Sequence, residues 1–129
     1  MQAQSIQWLM KAANTGGAPK ATLDLVKMRV RQINGFSSDC VEEASYTGEM
    51  VAAWRETSYF DAAERAALAL AEAAIELTDS TDPVPADVWD AAAKHYDEKG
   101  LAALVLTIAT SNMMNRINET TRQLARAFT

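Results

Sequence analysis

At 129 residues with a formal charge of −5 at pH 7, the chain reads as one domain spanning 1–129, large enough for a core and too small for two. Seventeen acidic against twelve basic residues argue against a general nucleic-acid binder. A single cysteine excludes an intrachain disulfide, and abundant alanine, leucine and glutamate with only three prolines predict an all-α protein.

Ile6, Leu9, Met10 and Ala13 recur at helical spacing, which predicts an amphipathic first helix over residues 2–13. Asn14-Thr15-Gly16-Gly17-Ala18-Pro19 breaks it with turn residues. A second helix is expected over 20–33, with Leu23, Val26, Val30 and Ile33 on one stripe and Asn34-Gly35 as its stop. Asp39 with Glu42 has capping-box spacing for a third helix. Tyr46-Thr47-Gly48 then reads as a break before Met50, Val51 and Trp54, and residues 55–60 as a linker.

Asp61 with Glu64 repeats the capping signature ahead of an alanine-rich helix to about residue 77. After a loop over 78–85, Pro85 suits the first turn of a helix over 86–96, which is expected to turn Val88, Trp89 and Ala92 inward. Asp97 caps a final helix whose Leu101, Leu104, Val105 and Ile108 sit at three- and four-residue steps, continuing or kinking near 115–118. The expected architecture is a bundle of about six helices. Its most apolar stretch, 101–109, is about half the ~20 residues of a membrane span. The opening Met1-Gln2-Ala3-Gln4-Ser5 lacks the basic region of a signal peptide. With a lone thiol, these features lead to the expectation of a cytoplasmic protein that does not enter the membrane.

Three segments resemble a known family. Leu23-Asp24-Leu25-Val26-Lys27-Met28-Arg29-Val30-Arg31-Gln32-Ile33-Asn34-Gly35 resembles the helix before the active site of the AhpD-like alkylhydroperoxidases, also called the carboxymuconolactone decarboxylase family. Ala53-Trp54-Arg55-Glu56-Thr57-Ser58-Tyr59-Phe60 with Glu64-Arg65-Ala66-Ala67-Leu68-Ala69 is similar to the family's next block. Ser111-Asn112-Met113-Met114-Asn115-Arg116 is like its C-terminal helix. The likeness is strongest over 23–117. It implies an AhpD-like all-α fold, homo-oligomers (trimers or hexamers), and peroxidase-type antioxidant reduction of hydroperoxides with a thiol reductant as second substrate. No cofactor and no metal is implied.

The family's active peroxidases carry Cys-x-x-Cys at a helix start, a histidine four residues after the second cysteine, and a relay glutamate about three helical turns earlier. Here Phe36 stands at the first cysteine, Cys40 matches the second only across a one-residue insertion, and Ala44 stands at the histidine. Asp24 stands at the glutamate, and the stretch between Cys40 and Trp54 is shorter by roughly two turns. The resemblance therefore assigns Cys40 as nucleophile and Asp24 as base in a chemistry weakened or lost with the missing groups. The competing reading is a catalytically inactive helical oligomer acting as a binding or scaffold protein. A lactone decarboxylase ranks third, because that reaction relies on histidine and basic groups.

Each candidate also has a plainer role. A helix start favours the Cys40 thiolate, whereas Asp39, Glu42 and Glu43 oppose it; without reactivity Cys40 is a packing residue, and as a third use a metal ligand. Asp24 can instead pair with Lys20, Lys27 or Arg29 on the helix surface. Asp39, Glu42, Glu43 and Glu49 read as a solvated acidic face rather than a cation site, and His95 as a cap or surface residue. Asn112, Asn115 and Arg116 are expected to hydrogen-bond backbone groups of neighbouring helices or subunits. Met113, Met114, Trp54 and Trp89 read as packing or interface residues.

Overall fold

The helix Lys20–Ile33 (α1) is apolar on two faces, and the other elements gather around it. The computed structural model describes residues 16–35, 46–76 and 84–121. After α1 come α2 (Gly48–Ala52), α3 (Ala62–Ile75), α4 (Ala86–His95) and α5 (Glu98–Thr121). Every regular element among the described residues is helical. None of these helices is long and apolar enough to cross a membrane. The helices expected at 2–13 and from Asp39 lie outside the described residues.

Leu23, Val26 and Val30 of the stripe read from the sequence are buried and pack on Ala67, Leu70 and Ala71 of α3 and Leu104 and Ile108 of α5, whereas Ile33, its fourth member, is only partly buried at the end of the helix. Leu25 and Met28 point the other way. They join Val51, Trp54, Phe60 and Leu68 in a second core cluster, which makes α1 the shared wall of two cores. A helix walled in on two faces keeps its charged residues on the remaining one, where Lys20, Asp24 and Lys27 lie. Other polar residues remain on the helix where they find partners, such as Arg29 and Gln32.

The helix boundaries follow local chemistry. Asn34 ends α1 and Gly35 takes a φ of +84° just beyond it, as the Asn-Gly stop predicted. Thr47, read as part of a break, accepts a hydrogen bond from the Met50 amide and starts α2. Asp61 Oδ1 accepts from Glu64 N at 2.8 Å, and Glu64 Oε1 accepts from Asp61 N at 3.0 Å. That reciprocal box opens α3 as expected. Asp61→Ala should therefore cost about 1 kcal/mol of stability; an unchanged urea midpoint would remove the box from the list of stabilising contacts. Asp97 Oδ1 accepts from Gly100 N at 2.8 Å and caps α5, which runs without a break to Thr121. Tyr96 Oη donates to the Ala63 carbonyl at 2.8 Å and ties the end of α4 to the start of α3.

One expectation fails in α4. Only Ala92 of this helix is buried, and Trp89 is 40% exposed rather than inward. The reason is geometric: α4 lies chiefly against α3, so a small residue makes the closest approach and the indole is left at the rim. Pro85 is also the residue before the helix rather than in its first turn, with its carbonyl accepting from Val88 N and Trp89 N.

Candidate functional site

The segment 36–45, which holds Cys40, lies outside the described residues, but both of its flanks are fixed by side-chain contacts. On one flank, Asn34 Nδ2 donates to Asn112 Oδ1 at 3.0 Å and joins the end of α1 to α5. The sequence suggested backbone partners for Asn112; its partner is the side chain of Asn34. On the other flank, Gln32 Nε2 donates to the Gly48 carbonyl at 2.6 Å. Tyr46 packs edge-on to Phe60 and Tyr59, with ring centroids 5.7 and 6.4 Å apart. Contacts of this kind hold the residues on either side of the segment against rigid elements.

Asp24 is on the exposed side of α1. Its carboxylate pairs with Lys20 Nζ at 3.0 Å and Lys27 Nζ at 3.9 Å, and the side chain is 43% exposed. Asp24 lies roughly 15 Å along the helix from Asn34. Its charge nevertheless reaches the far flank of the Cys40 segment at Tyr46. Burial pushes the Tyr46 phenol above its usual range, and Asp24, Glu64 and Tyr59 push it further the same way.

The strongest electrostatic feature was not read from the sequence. Glu72 of α3 is a nearly buried carboxylate, its side chain 10% exposed. Oε1 accepts from Trp54 Nε1 at 2.8 Å and Arg29 Nε at 2.9 Å, while Oε2 accepts from Arg55. Burial alone would raise its pKa. The hydrogen bonds from Trp54, Arg55 and Arg29, with the Arg29 charge, outweigh burial and hold it below its ordinary 4.5. A carboxylate so stabilised as an anion is a poor proton acceptor, so Glu72 acts as a fastener and not as a base.

The fastening extends to the presumed linker. Arg65 Nη1 donates to the Trp54 and Thr57 carbonyls at 2.8 and 3.0 Å, and Nη2 to the Arg55 carbonyl at 3.3 Å. The Arg55 guanidinium lies 4.1 Å from the Trp54 ring centroid. Arg29 Nη1 also donates to Gln32 Oε1 at 3.0 Å. A continuous chain of bonds thus runs from Glu72 through Arg29 and Gln32 to Gly48, the edge of the Cys40 segment.

A lone acid in the run Ala66-Ala67-Leu68-Ala69-Leu70-Ala71-Glu72-Ala73-Ala74-Ile75 was the available signal, since a buried charge needs a partner. His95 is exposed on the last turn of α4, and Arg116 is exposed on α5. Glu49 is exposed, whereas Asp39, Glu42 and Glu43 lie outside the described residues. Among the described residues no three carboxylate, histidine or cysteine groups converge as metal ligands do.

No protein-family model matches the sequence. The uncharacterized protein YdfG of Bacillus subtilis (strain 168) is 35% identical over 109 residues, covering 77% of this chain and 72% of YdfG. The chain belongs to the YdfG family. This YdfG-family chain also matches a solved structure, that of a protein of unknown function from Agrobacterium tumefaciens provisionally described as the antioxidant defence protein AhpD. The likeness covers 92% of this chain and 86% of that one, with a TM-score of 0.77 and 21% sequence identity. The YdfG-family chain therefore has an AhpD-like helical fold.

Proposed function

We propose that this protein is a one-cysteine member of the AhpD and carboxymuconolactone decarboxylase family that reduces hydroperoxides, working as a homo-oligomer in the cytoplasm. The observation that carries the reading is the AhpD-like fold over nearly the whole chain. The fastening of both flanks of the Cys40 segment supports it, because a reactive thiol needs a fixed backbone. In this reading the Cys40 thiolate attacks the terminal oxygen of ROOH. An S–O bond forms, the O–O bond breaks, and Cys40 becomes a sulfenic acid while alcohol leaves.

With no second cysteine in the chain, an external thiol condenses with the sulfenic acid to a mixed disulfide and water. A second external thiol then releases Cys40 and leaves as the oxidised disulfide. Asp24 takes the thiol proton and returns it to the departing alkoxide; the reach of its charge to Tyr46, on the far flank of the Cys40 segment, supports that role.

The test is hydroperoxide consumption with dithiothreitol by the protein and by Cys40→Ser. The variant is expected to fall to the rate of dithiothreitol alone. Equal consumption by the two proteins ends the peroxidase reading.

A second reading, an inactive helical oligomer, is favoured by the pairing of Asp24 with two lysines on an exposed helix face. It predicts that low peroxide leaves no trappable sulfenic acid on Cys40. Both readings expect light scattering to give a trimer or hexamer of the 14.0 kDa chain, and a monomer mass sinks that shared expectation.

A further inference from the structure

A cavity of about 500 Å³ opens between α3, α4 and α5, within the size range of small-molecule sites. Among the described residues its wall is apolar, from Leu70, Ala74 and Ile75 of α3 through Trp89 of α4 to Ile108 of α5, with one exception. The exception is Asn112. Its Oδ1 is taken by Asn34, which leaves Nδ2 as the donor for a ligand. Four residues on, and so one turn further along the same face of α5, Arg116 is exposed and has no ion-pair partner among the described residues.

Helical side chains lean towards the N-terminus, so the Arg116 guanidinium tips over the turn that presents Asn112. The site thus has a long apolar body and, at one end, an amide donor, with the cation Arg116 one turn beyond the lining and unpaired among the described residues. We propose that this cavity binds an amphipathic carboxylate. The unbranched hydrocarbon chain lies along Leu70, Trp89 and Ile108, and the head group accepts from Asn112 Nδ2 and Arg116. Guanidinium is the group best matched to a carboxylate, offering two parallel donors. Among the described residues no charged side chain lines the cavity itself, which disfavours a ligand polar along its length. Cys40 has no part in the proposal, and the polar end of the cavity touches Asn34, the residue that fixes one flank of the Cys40 segment.

The test titrates the full chain with 11-bromoundecanoate below its micelle concentration and follows tryptophan fluorescence, since bromine quenches on contact and Trp89 lines the cavity. Saturable quenching at one ligand per chain is expected, with decanoate competing. A bromoalkyl trimethylammonium of equal chain length should bind at least about tenfold more weakly. Arg116→Gln should weaken the carboxylate about tenfold, the worth of one charge-assisted hydrogen bond, and leave 11-bromoundecanol unchanged.

Asn112→Asp keeps an acceptor for Asn34 and places an anion at the head-group end, so it should reject the carboxylate selectively. Ala109→Phe, at an exposed position on the cavity wall, should abolish quenching by both ligands without lowering the melting temperature. The proposal is overturned by absent quenching, by equal affinity for the cationic analogue, or by an Arg116→Gln protein that binds normally. It is also overturned if nothing binds and Ala109→Phe lowers the oligomer mass, for then a second copy of the chain occupies the cavity.

Discussion

Glu72→Ala is expected to lower the unfolding free energy by about 3–5 kcal/mol, the usual consequence of removing one partner from a buried ion pair. The loss arises mainly from what stays behind. The Arg29 side chain is mostly buried and would keep its charge without a counter-ion. Trp54 Nε1, a donor inside the second core cluster, would lose its acceptor. Arg55 contributes little to this sum. Its side chain is 56% exposed and returns to water, so Arg55→Ala should cost about 1 kcal/mol or less. Glu72→Gln should fall between the two, because it keeps an acceptor and loses the charge. Urea denaturation followed by tryptophan fluorescence measures all three, and a Glu72→Ala protein within about 1 kcal/mol of the parent would refute the account.

The same network makes stability depend on pH. Glu72 has a folded pKa below its ordinary 4.5, so the unfolded chain takes up its proton first as pH falls. The contribution is therefore complete above about 4.5 and is lost progressively as pH drops through the lowered folded value. Glu72→Ala should flatten the acid limb of the stability profile while shifting the neutral plateau down.

What could be read from the sequence was what depends on near neighbours. The stripe of Leu23, Val26, Val30 and Ile33, the Asn34-Gly35 stop and the Asp61–Glu64 box each involve residues near one another in the chain, and each appears in the structure as read except that Ile33 is only partly buried. The Glu72 network joins positions 18 and 43 residues apart, and no local pattern encodes such a pairing. Leu25 and Met28 went unnoticed as core residues because a one-stripe reading assumes a single buried face. Trp89 failed for the related reason that hydrophobicity predicts burial without saying which helix supplies the cover. The assignment of Cys40 rests on order along the chain and on resemblance, and it falls outside the described residues. Its flanks were partly readable, since Asn34 was read as the helix stop and Gln32 lies in the stretch that carries the resemblance, but their partners Gly48 and Asn112 were set by the tertiary fold.

Gly17→Ala is expected to cost about 2–4 kcal/mol, combining left-handed backbone strain with overpacking. Gly17 has a φ of +95°, and a Cβ there would lie 2.7 Å from the backbone carbon and oxygen of Lys99 and 2.8 Å from Gly100 N. The obstacle is backbone of α5, which cannot swing aside as a side-chain tip can. Gly100 meets the same crossing from the other side, since its Cβ would lie 2.7 Å from the Gly17 carbonyl oxygen. In an exposed helix Gly→Ala stabilises by about 1 kcal/mol; Gly100→Ala should reverse that sign. The two substitutions force apart one contact, so the double variant should lose less than the sum. Gly35→Ala provides the reference. Gly35 also has a positive φ, +84°, but nothing lies within 4 Å of its Cβ position, so that variant carries the backbone strain alone. The crossing matters for the site because it sets how closely α5 starts beside α1, and the same pair of helices later brings Asn112 to Asn34. Thermal melts of the three single variants decide the matter: a Gly17→Ala protein no less stable than Gly35→Ala would mean that the crossing relaxes without cost.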